Sequence, residues 1–159
     1  MWTRILMVAA AASLALGGAM AAQAPQDPPA EAQGYAWDGA CKDCHSAIHD
    51  AWSKTKHARS IDRLDSTQRQ GGECIGCHVT GPKGPIRDEA GDMVNANIQC
   101  ESCHGPGKAH AEAAAAGNPI PAGMTRKPPE SLCKTCHNEK SPHYRGFYFQ
   151  ALVNLVHKH

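Results

Sequence analysis

Four copies of one short motif decide the fold of this chain: CKDCH at residues 41–45, CIGCH at 74–78, CESCH at 100–104 and CKTCH at 133–137. Each copy has the pattern Cys-x-x-Cys-His, and together they use all 8 cysteines of the 159-residue chain. Two cysteines at this spacing can form thioethers with the two vinyl groups of one porphyrin, and the histidine that follows reaches the iron. The pattern therefore predicts four covalently attached haem c groups.

The motif also assigns the residues that would hold each haem. The thioether positions are Cys41, Cys44, Cys74, Cys77, Cys100, Cys103, Cys133 and Cys136, and the proximal iron ligands are His45, His78, His104 and His137. Zinc binding and disulfide formation are the alternative uses of such cysteines. Zinc does not need a histidine directly after every second cysteine, and disulfides would not sort into four identical motifs. Haem attachment is therefore the interpretation that the pattern favours.

Histidine is the more abundant candidate for the opposite face of each iron. Beyond the N-terminal leader the chain has two methionines, Met93 and Met124, and six histidines outside the motifs. Bis-histidine ligation generally gives a lower reduction potential than His/Met ligation. We prefer three of these histidines as distal ligands: His57, His110 and His157.

Helix periodicity predicts how far His57 can reach. Residues 44–59 carry Ile48 and Trp52 four positions apart, which indicates a helix. His57 is 12 residues beyond His45, which corresponds to roughly 18 Å along a helix axis. His57 therefore cannot ligate the haem that His45 holds and has to reach another one.

The other two preferred ligands are placed by local signals as well. A Gly-Pro-Gly turn at 105–107 comes before His110, which lies in a short Ala-rich helix predicted for residues 109–116. Residues 144–159 have the pattern of an amphipathic helix, with His157 at the edge of its apolar face.

Three preferred distal ligands for four haems leave one iron open or closed by a weaker candidate. His49 lies one turn beyond His45, and His143 follows Ser141-Pro142 in a predicted loop. An open iron could bind water or a small molecule, and enzyme chemistry could enter there.

The N-terminus predicts export. Residues 1–21 have one positive charge, an apolar run and a small-x-small end, which is typical of a signal peptide; an uncleaved membrane anchor is the alternative. Residues 22–34 form a Pro/Ala-rich leader or tether, and residues 35–159 form the haem domain. Loss of Arg4 leaves 15 basic and 15 acidic residues, so nothing suggests a nucleic-acid partner.

Beyond the leader the chain has few large apolar side chains: two Trp, three Tyr, two Phe and little Leu, Ile or Val. Such a chain could hardly offset its conformational entropy by burying side chains alone. Haem, a large flat apolar group, can supply the missing core.

At the level of longer stretches the chain resembles the cytochrome c-554 family, tetrahaem periplasmic carriers known from ammonia-oxidising bacteria. The resemblance covers residues 35–159 and depends on CKDCHSAIHDAWSKTKHA, ECIGCHVTG, QCESCHGPGKAH, LCKTCHNEKSP and FQALVNLVHKH. The W-x-x-T-x-H-A and C-E-S-C-H-G-P-G elements are more specific than Cys-x-x-Cys-His. The segments after His57 and after His137 look shorter than the family pattern.

This resemblance implies a mainly α fold with extensive loops, a small multihaem cytochrome c fold wrapped around four stacked haems. It implies that His110 ligates the haem of His45, His157 that of His104, and His57 that of His137. It implies a five-coordinate second haem at Cys74, Cys77 and His78, although His49 or His143 could fill that position.

The function expected is that of a monomeric periplasmic electron carrier with redox proteins as donor and acceptor. The alternatives are an enzyme that reduces a small nitrogen species such as nitric oxide at the second haem, and a subunit of a haem filament or anchored complex. The family's role in hydroxylamine oxidation need not transfer, because a shared haem arrangement does not determine partners.

Overall fold

The structure is a computed structural model that describes residues 34–156. The predicted signal peptide, all of the predicted leader except Gly34, and the distal candidate His157 lie outside the described residues.

Short helices joined by long irregular segments make up the described part of the chain. The α-helices are α1 (Trp37–Cys44), α2 (Ser46–Ser53), α3 (Cys100–His104), α4 (Lys108–Ala115), α5 (Glu130–Cys133) and α6 (Phe149–Leu152). Segments of 3₁₀ helix cover His57–Arg63, which is kinked at Arg59, and the single turns Gln68–Gln70, Ile75–Cys77 and Val153–Leu155. Between residues 34 and 156 the only β pairing is two isolated bridges, Val79–Ala96 and Arg87–Met93. The predicted class, mainly α with extensive loops, is confirmed. No helix in this range is long and apolar enough to cross a bilayer.

Every haem motif coincides with a helical turn. The first motif ends α1, the second lies on the 3₁₀ turn Ile75–Cys77, the third is α3 itself, and the fourth begins at the last residue of α5. The amide of His45 bonds the carbonyl of Cys41 at 2.9 Å, and that of His137 bonds Cys133 at 3.0 Å. Positions i, i+3 and i+4 share one face of a helix, so both sulfurs and the imidazole of a motif point the same way.

Two of the predicted helices are wrong in length. The helix predicted for 44–59 is interrupted at His45 and ends at Ser53, and His57 begins a separate 3₁₀ segment. The Trp52 indole anchors α2 by donating to the carbonyl of Ile98 at 2.9 Å, and the chain turns directly afterwards.

The helix predicted for 144–159 begins only at Phe149 and becomes a 3₁₀ turn at Val153. Of its predicted apolar face, Phe149, Leu152 and Val156 are half-buried and Val153 is 36% exposed. Gly146, with a φ of +91°, stands before the helix. The short Ala-rich helix predicted for 109–116 is confirmed as α4, followed by Gly117 at a φ of +66°.

The side-chain core is small, as the composition predicts. Ile61, Leu64, Ile75 and Val79 form one buried cluster, with Met93 and Ala96 packed against it. This cluster lies beside the second motif, because Ile75 is one of the two residues between its cysteines. The other motifs have no comparable apolar support among the described residues, which suits a domain whose interior is completed by porphyrin.

A buried polar hub organises the loop between the second and third motifs. Asn95 is fully buried, and its side-chain oxygen accepts from the amide of Ile86 at 2.9 Å. Its side-chain nitrogen donates to the carbonyls of Gly84 at 2.7 Å and Thr80 at 3.3 Å. The loop therefore keeps its shape through hydrogen bonds where apolar packing is scarce.

Replacement of this hub should destabilise the protein. Asn95→Ala leaves the amide of Ile86 and two carbonyls without their partner, so we expect the free energy of unfolding to fall by about 3 kcal/mol. Urea unfolding of the holoprotein, followed by far-UV circular dichroism, measures the change. The control Asn118→Ala removes an exposed side chain and should change stability by less than about 0.5 kcal/mol. Equal effects of the two substitutions would contradict the role of the hub.

Candidate haem centre

The first pair of facing histidines joins the first motif to α4. The rings of His45 and His110 have centroids 6.3 Å apart and planes inclined by 28°. His45 follows directly after α1, and His110 lies in the first turn of α4, beyond the Gly-Pro-Gly turn. The turn therefore directs His110 toward the motif 65 residues earlier in the chain.

The second pair joins the 3₁₀ segment after α2 to the fourth motif. The rings of His57 and His137 have centroids 6.0 Å apart and planes inclined by 59°. Phe147 stacks on His137 with centroids 4.8 Å apart and planes 21° apart, which restricts the orientation of that imidazole.

Both separations fit an iron atom shared by two imidazoles. A metal–nitrogen bond of about 2 Å and a further distance of about 1 Å from nitrogen to ring centroid, taken on both sides, give about 6 Å. Histidine is an established axial ligand of haem iron. Both pairs therefore have the separation that a bis-histidine haem requires.

The two remaining proximal histidines are oriented by backbone carbonyls. Nδ1 of His78 lies 2.6 Å from the carbonyl oxygen of Ser60, and Nδ1 of His104 lies 2.6 Å from that of Thr125. Donation from Nδ1 to a carbonyl fixes the tautomer that leaves the Nε2 lone pair for a metal. Ser60 also donates its hydroxyl to the carbonyl of His78, at 3.1 Å, so this contact is reciprocal.

The electrostatics of the second pair also suit metal ligation. Burial, and then the charge of His137, lowers the pKa of His57. Burial lowers the pKa of His137 as well. Both shifts favour the neutral imidazole, which is the form that binds a metal.

Cysteines of different motifs lie near one another. The Cys41 thiol donates to the carbonyl of Trp37 at 3.5 Å, and the nearby Cys100 raises its pKa. Burial and then Cys136 raise the pKa of Cys77, and burial and then Cys133 raise that of Cys103. The first motif is thus near the third, and the fourth is near both the second and the third.

No disulfide joins any of the eight cysteines. Burial raises the pKa of Cys103 to about 11, and burial followed by the nearby Cys136 raises that of Cys77 to about 11. In residues 34–156 no three His, Cys, Asp or Glu side chains converge on a point that could hold a bare metal ion.

The weaker distal candidates lie elsewhere. Nε2 of His49 is 3.3 Å from a carboxylate oxygen of Asp38, and its ring packs on Trp52 with centroids 5.2 Å apart. His143 is exposed, in the loop before α6. The structure thus brings together His45 with His110 and His57 with His137, and it places neither His49 nor His143 in a facing histidine pair.

Sequence patterns did not indicate the groups that orient these ligands. Ser60 and Thr125 act on the proximal histidines through backbone carbonyls, which every residue has, so no side-chain signal marks them. Glu101 is different, because its carboxylate is buried inside the third motif and is bonded to backbone amides. The sequence signal for this role is an acidic residue between the two cysteines of the third motif.

Comparison with known proteins agrees with the motifs. The family model for cytochrome c554 and c-prime matches residues 40–105. Cytochrome c-554 of Nitrosomonas europaea is 31% identical over 123 residues, which cover 65% of this chain and 48% of that protein. The chain thus spans about half the length of the curated relative it matches.

Two solved structures are similar in part. The reduced state of cytochrome c554 from Nitrosomonas europaea has a TM-score of 0.48 at 24% identity, with 78% of each chain covered. The outer cell wall cytochrome OcwA has a TM-score of 0.41 at 20% identity, covering 65% of this chain and 37% of that one. With the family match and the curated relative, the predicted resemblance to the cytochrome c-554 family is confirmed, and covalently bound haem c is the cofactor it implies.

Proposed function

We propose that this chain is an electron-transfer protein that carries electrons through four covalently bound haem c groups. The observation that carries the proposal is the two pairs of facing histidines, His45 with His110 and His57 with His137, at separations that suit bis-histidine iron. Iron with both axial positions filled is suited to electron transfer and poorly suited to binding a substrate.

The chain's own residues hold, orient and enclose the cofactors. The motif cysteines attach them, and the proximal ligands are His45, His78, His104 and His137. Among the distal ligands His110 would serve the first haem, His57 the fourth and His157 the third, and the second would be open unless His49 or His143 filled it. Bound haem would supply one-electron chemistry at iron.

Contacts between motifs support passage of electrons along the chain of cofactors. Cys41 lies near Cys100, Cys77 near Cys136 and Cys103 near Cys133, so the attachment edges of the first and third haems would be close, as would those of the second and fourth and of the third and fourth. The resemblance to a family with stacked haem pairs agrees with this arrangement. The two haems of each such pair would then lie close together, as electron transfer between them requires.

The proposed location is the periplasm. Residues 1–21 would direct export, residues 22–34 would form a leader or tether, and residues 35–159 would form the haem domain. The proposed partners are redox proteins that dock briefly to donate or accept an electron, as small encounter interfaces allow, with the chain itself a monomer. A c-type cytochrome acquires its haem outside the cytoplasm, so export and the four motifs are mutually consistent.

The number of haems bound per chain should equal the number of electrons that the chain takes up. The purified holoprotein should contain four haem c groups per chain by pyridine haemochrome assay and intact mass. An anaerobic spectroelectrochemical titration should take up and return one electron per haem. The matched variant Cys133→Ser/Cys136→Ser should lose one haem and one electron. Fewer than four haems in the parent protein, or irons that cannot be reduced reversibly, would rule out the proposed function.

Removal of a distal histidine should open one iron only. His110→Ala and His57→Ala should each convert one low-spin ferric haem to high spin, because the imidazole opposite His45 or His137 is removed. Electron paramagnetic resonance detects the change. His143→Ala, an exposed histidine outside both pairs, should leave the spectrum unchanged. A spectrum that responds to His143→Ala but to neither of the other two contradicts the ligand assignment.

The state of the second haem is a separate prediction. The sequence-based alternative, an enzyme that reduces a small nitrogen species there, requires an open iron at His78. The spectrum of the unsubstituted holoprotein tests it, because one high-spin signal keeps this alternative and four low-spin signals exclude it.

A further inference from the structure

The carboxylate of Glu101 is buried and bonded entirely to backbone amides in the described part of the chain. The side chain is 3% exposed. Oε1 accepts from the amides of Ala36 at 2.9 Å and Gly107 at 2.6 Å, and Oε2 accepts from that of Trp37 at 2.9 Å. Among the ion pairs of residues 34–156, none neutralises this carboxylate. Charge-assisted bonds to amides therefore take the place of a cation.

These three amides belong to the two segments that bear the first histidine pair. Ala36 and Trp37 begin α1, which carries Cys41 and ends just before His45. Gly107 caps α4 immediately before the turn that carries His110. The amide of Lys108 also donates to the carbonyl of Gly34 at 3.1 Å, so the same two segments are joined a second time.

The backbone on both sides is shaped to reach the carboxylate. Trp37 has a φ of +63°, a left-handed conformation that a non-glycine residue adopts only when its surroundings hold it there. A Cβ on Gly107 would lie 3.2 Å from Glu101 Oε1 and 3.2 Å from the sulfur of Met124. Glycine at 107 therefore permits the close approach of the α4 cap to the carboxylate.

We propose that Glu101 is a positioning residue for the first haem, which holds His110 opposite His45 by tying the start of α1 to the cap of α4. The inference rests on the proposed function, because it requires His110 to be an iron ligand. It adds that a residue between the cysteines of the third motif determines the axial geometry of the haem on the first motif. A residue that only stabilised the fold would affect all haems alike, whereas this role affects one.

The direct test is Glu101→Gln in the full holoprotein. The amide has one acceptor oxygen, so its NH₂ group faces either the amides of Ala36 and Gly107, which Oε1 now joins, or the amide of Trp37, and in both orientations the tie is weakened. We expect four haems to remain attached. The low-spin ferric signal that His110→Ala abolishes should shift in g value or lose about half of its intensity to high spin, because the NH₂ group repels the backbone N–H donors it faces and loosens the junction of α4 with α1.

The control for charge is Glu112→Gln, an exposed glutamate on the same helix as His110. It removes the same charge without touching the tie, so the signal should stay in place. The other low-spin signals should be unchanged in both variants.

If Glu101→Gln does not yield a folded holoprotein, a milder variant tests the same role. Gly107→Ala places a methyl group against Oε1, and it should move the same signal in the same direction by a smaller amount. Gly39→Ala, in α1, adds a methyl group with no atom within 4 Å and should leave the signal where it is.

The outcomes separate this inference from the function on which it rests. If His110→Ala alters one low-spin signal but Glu101→Gln and Gly107→Ala leave that signal unchanged, the positioning role is overturned and the proposed function stands. If Glu101→Gln moves every haem signal equally, its role is structural and the inference is wrong. If His110→Ala alters no signal, the ligand assignment fails and this inference fails with it.

Discussion

Attachment of one porphyrin to a Cys-x-x-Cys-His motif would require two sulfurs and one imidazole nitrogen to face the same side, and a single helical turn meets this constraint. Helical spacing aligns positions i, i+3 and i+4, so a turn that begins at the first cysteine satisfies the constraint without a longer helix. The structure agrees with this, since the third motif is a helix of five residues and the second lies on one 3₁₀ turn. The remaining elements connect these turns and bring distal histidines to them.

Hydrogen bonds to the backbone do much of the positioning that a large apolar core would do in another protein of this size. Asn95 shapes the loop between the second and third motifs, Glu101 ties α1 to α4, and carbonyls of Ser60 and Thr125 orient two proximal imidazoles. Such bonds are directional, so they can fix a ligand's angle as well as its position. Apolar packing between side chains is concentrated in one cluster beside Ile75.

The sequence predicts the cofactor, its attachment residues and the helical class because these depend on local spacing. It also predicts that His57 does not serve the haem of His45, although the continuous helix predicted for 44–59 is interrupted at His45 and ends at Ser53 in the structure. The partner of His57 is His137, 80 residues away, and no local pattern encodes a contact at that distance. The pairing entered only through family resemblance.

Local sequence patterns could not predict two other features of the structure, for physical reasons. The helix predicted for 144–159 is shorter in the structure and begins only at Phe149, because apolar periodicity does not mark where a helix begins and Gly146 has a φ of +91°. The Glu101 tie joins residues 65 positions apart, and its donors are backbone amides that carry no sequence identity. Where the geometry depends on such long-range backbone contacts, only the folded structure displays it.

The central claim is that two histidines from distant parts of the chain face each other across one iron in the first and fourth haem sites. Crystals of the holoprotein, measured at the iron absorption edge, locate each iron directly from its anomalous scattering. The account predicts one iron between His45 and His110 and another between His57 and His137, each bonded to both imidazoles. Irons bonded to His45 and His137 whose opposite faces lack His110 and His57 would contradict it.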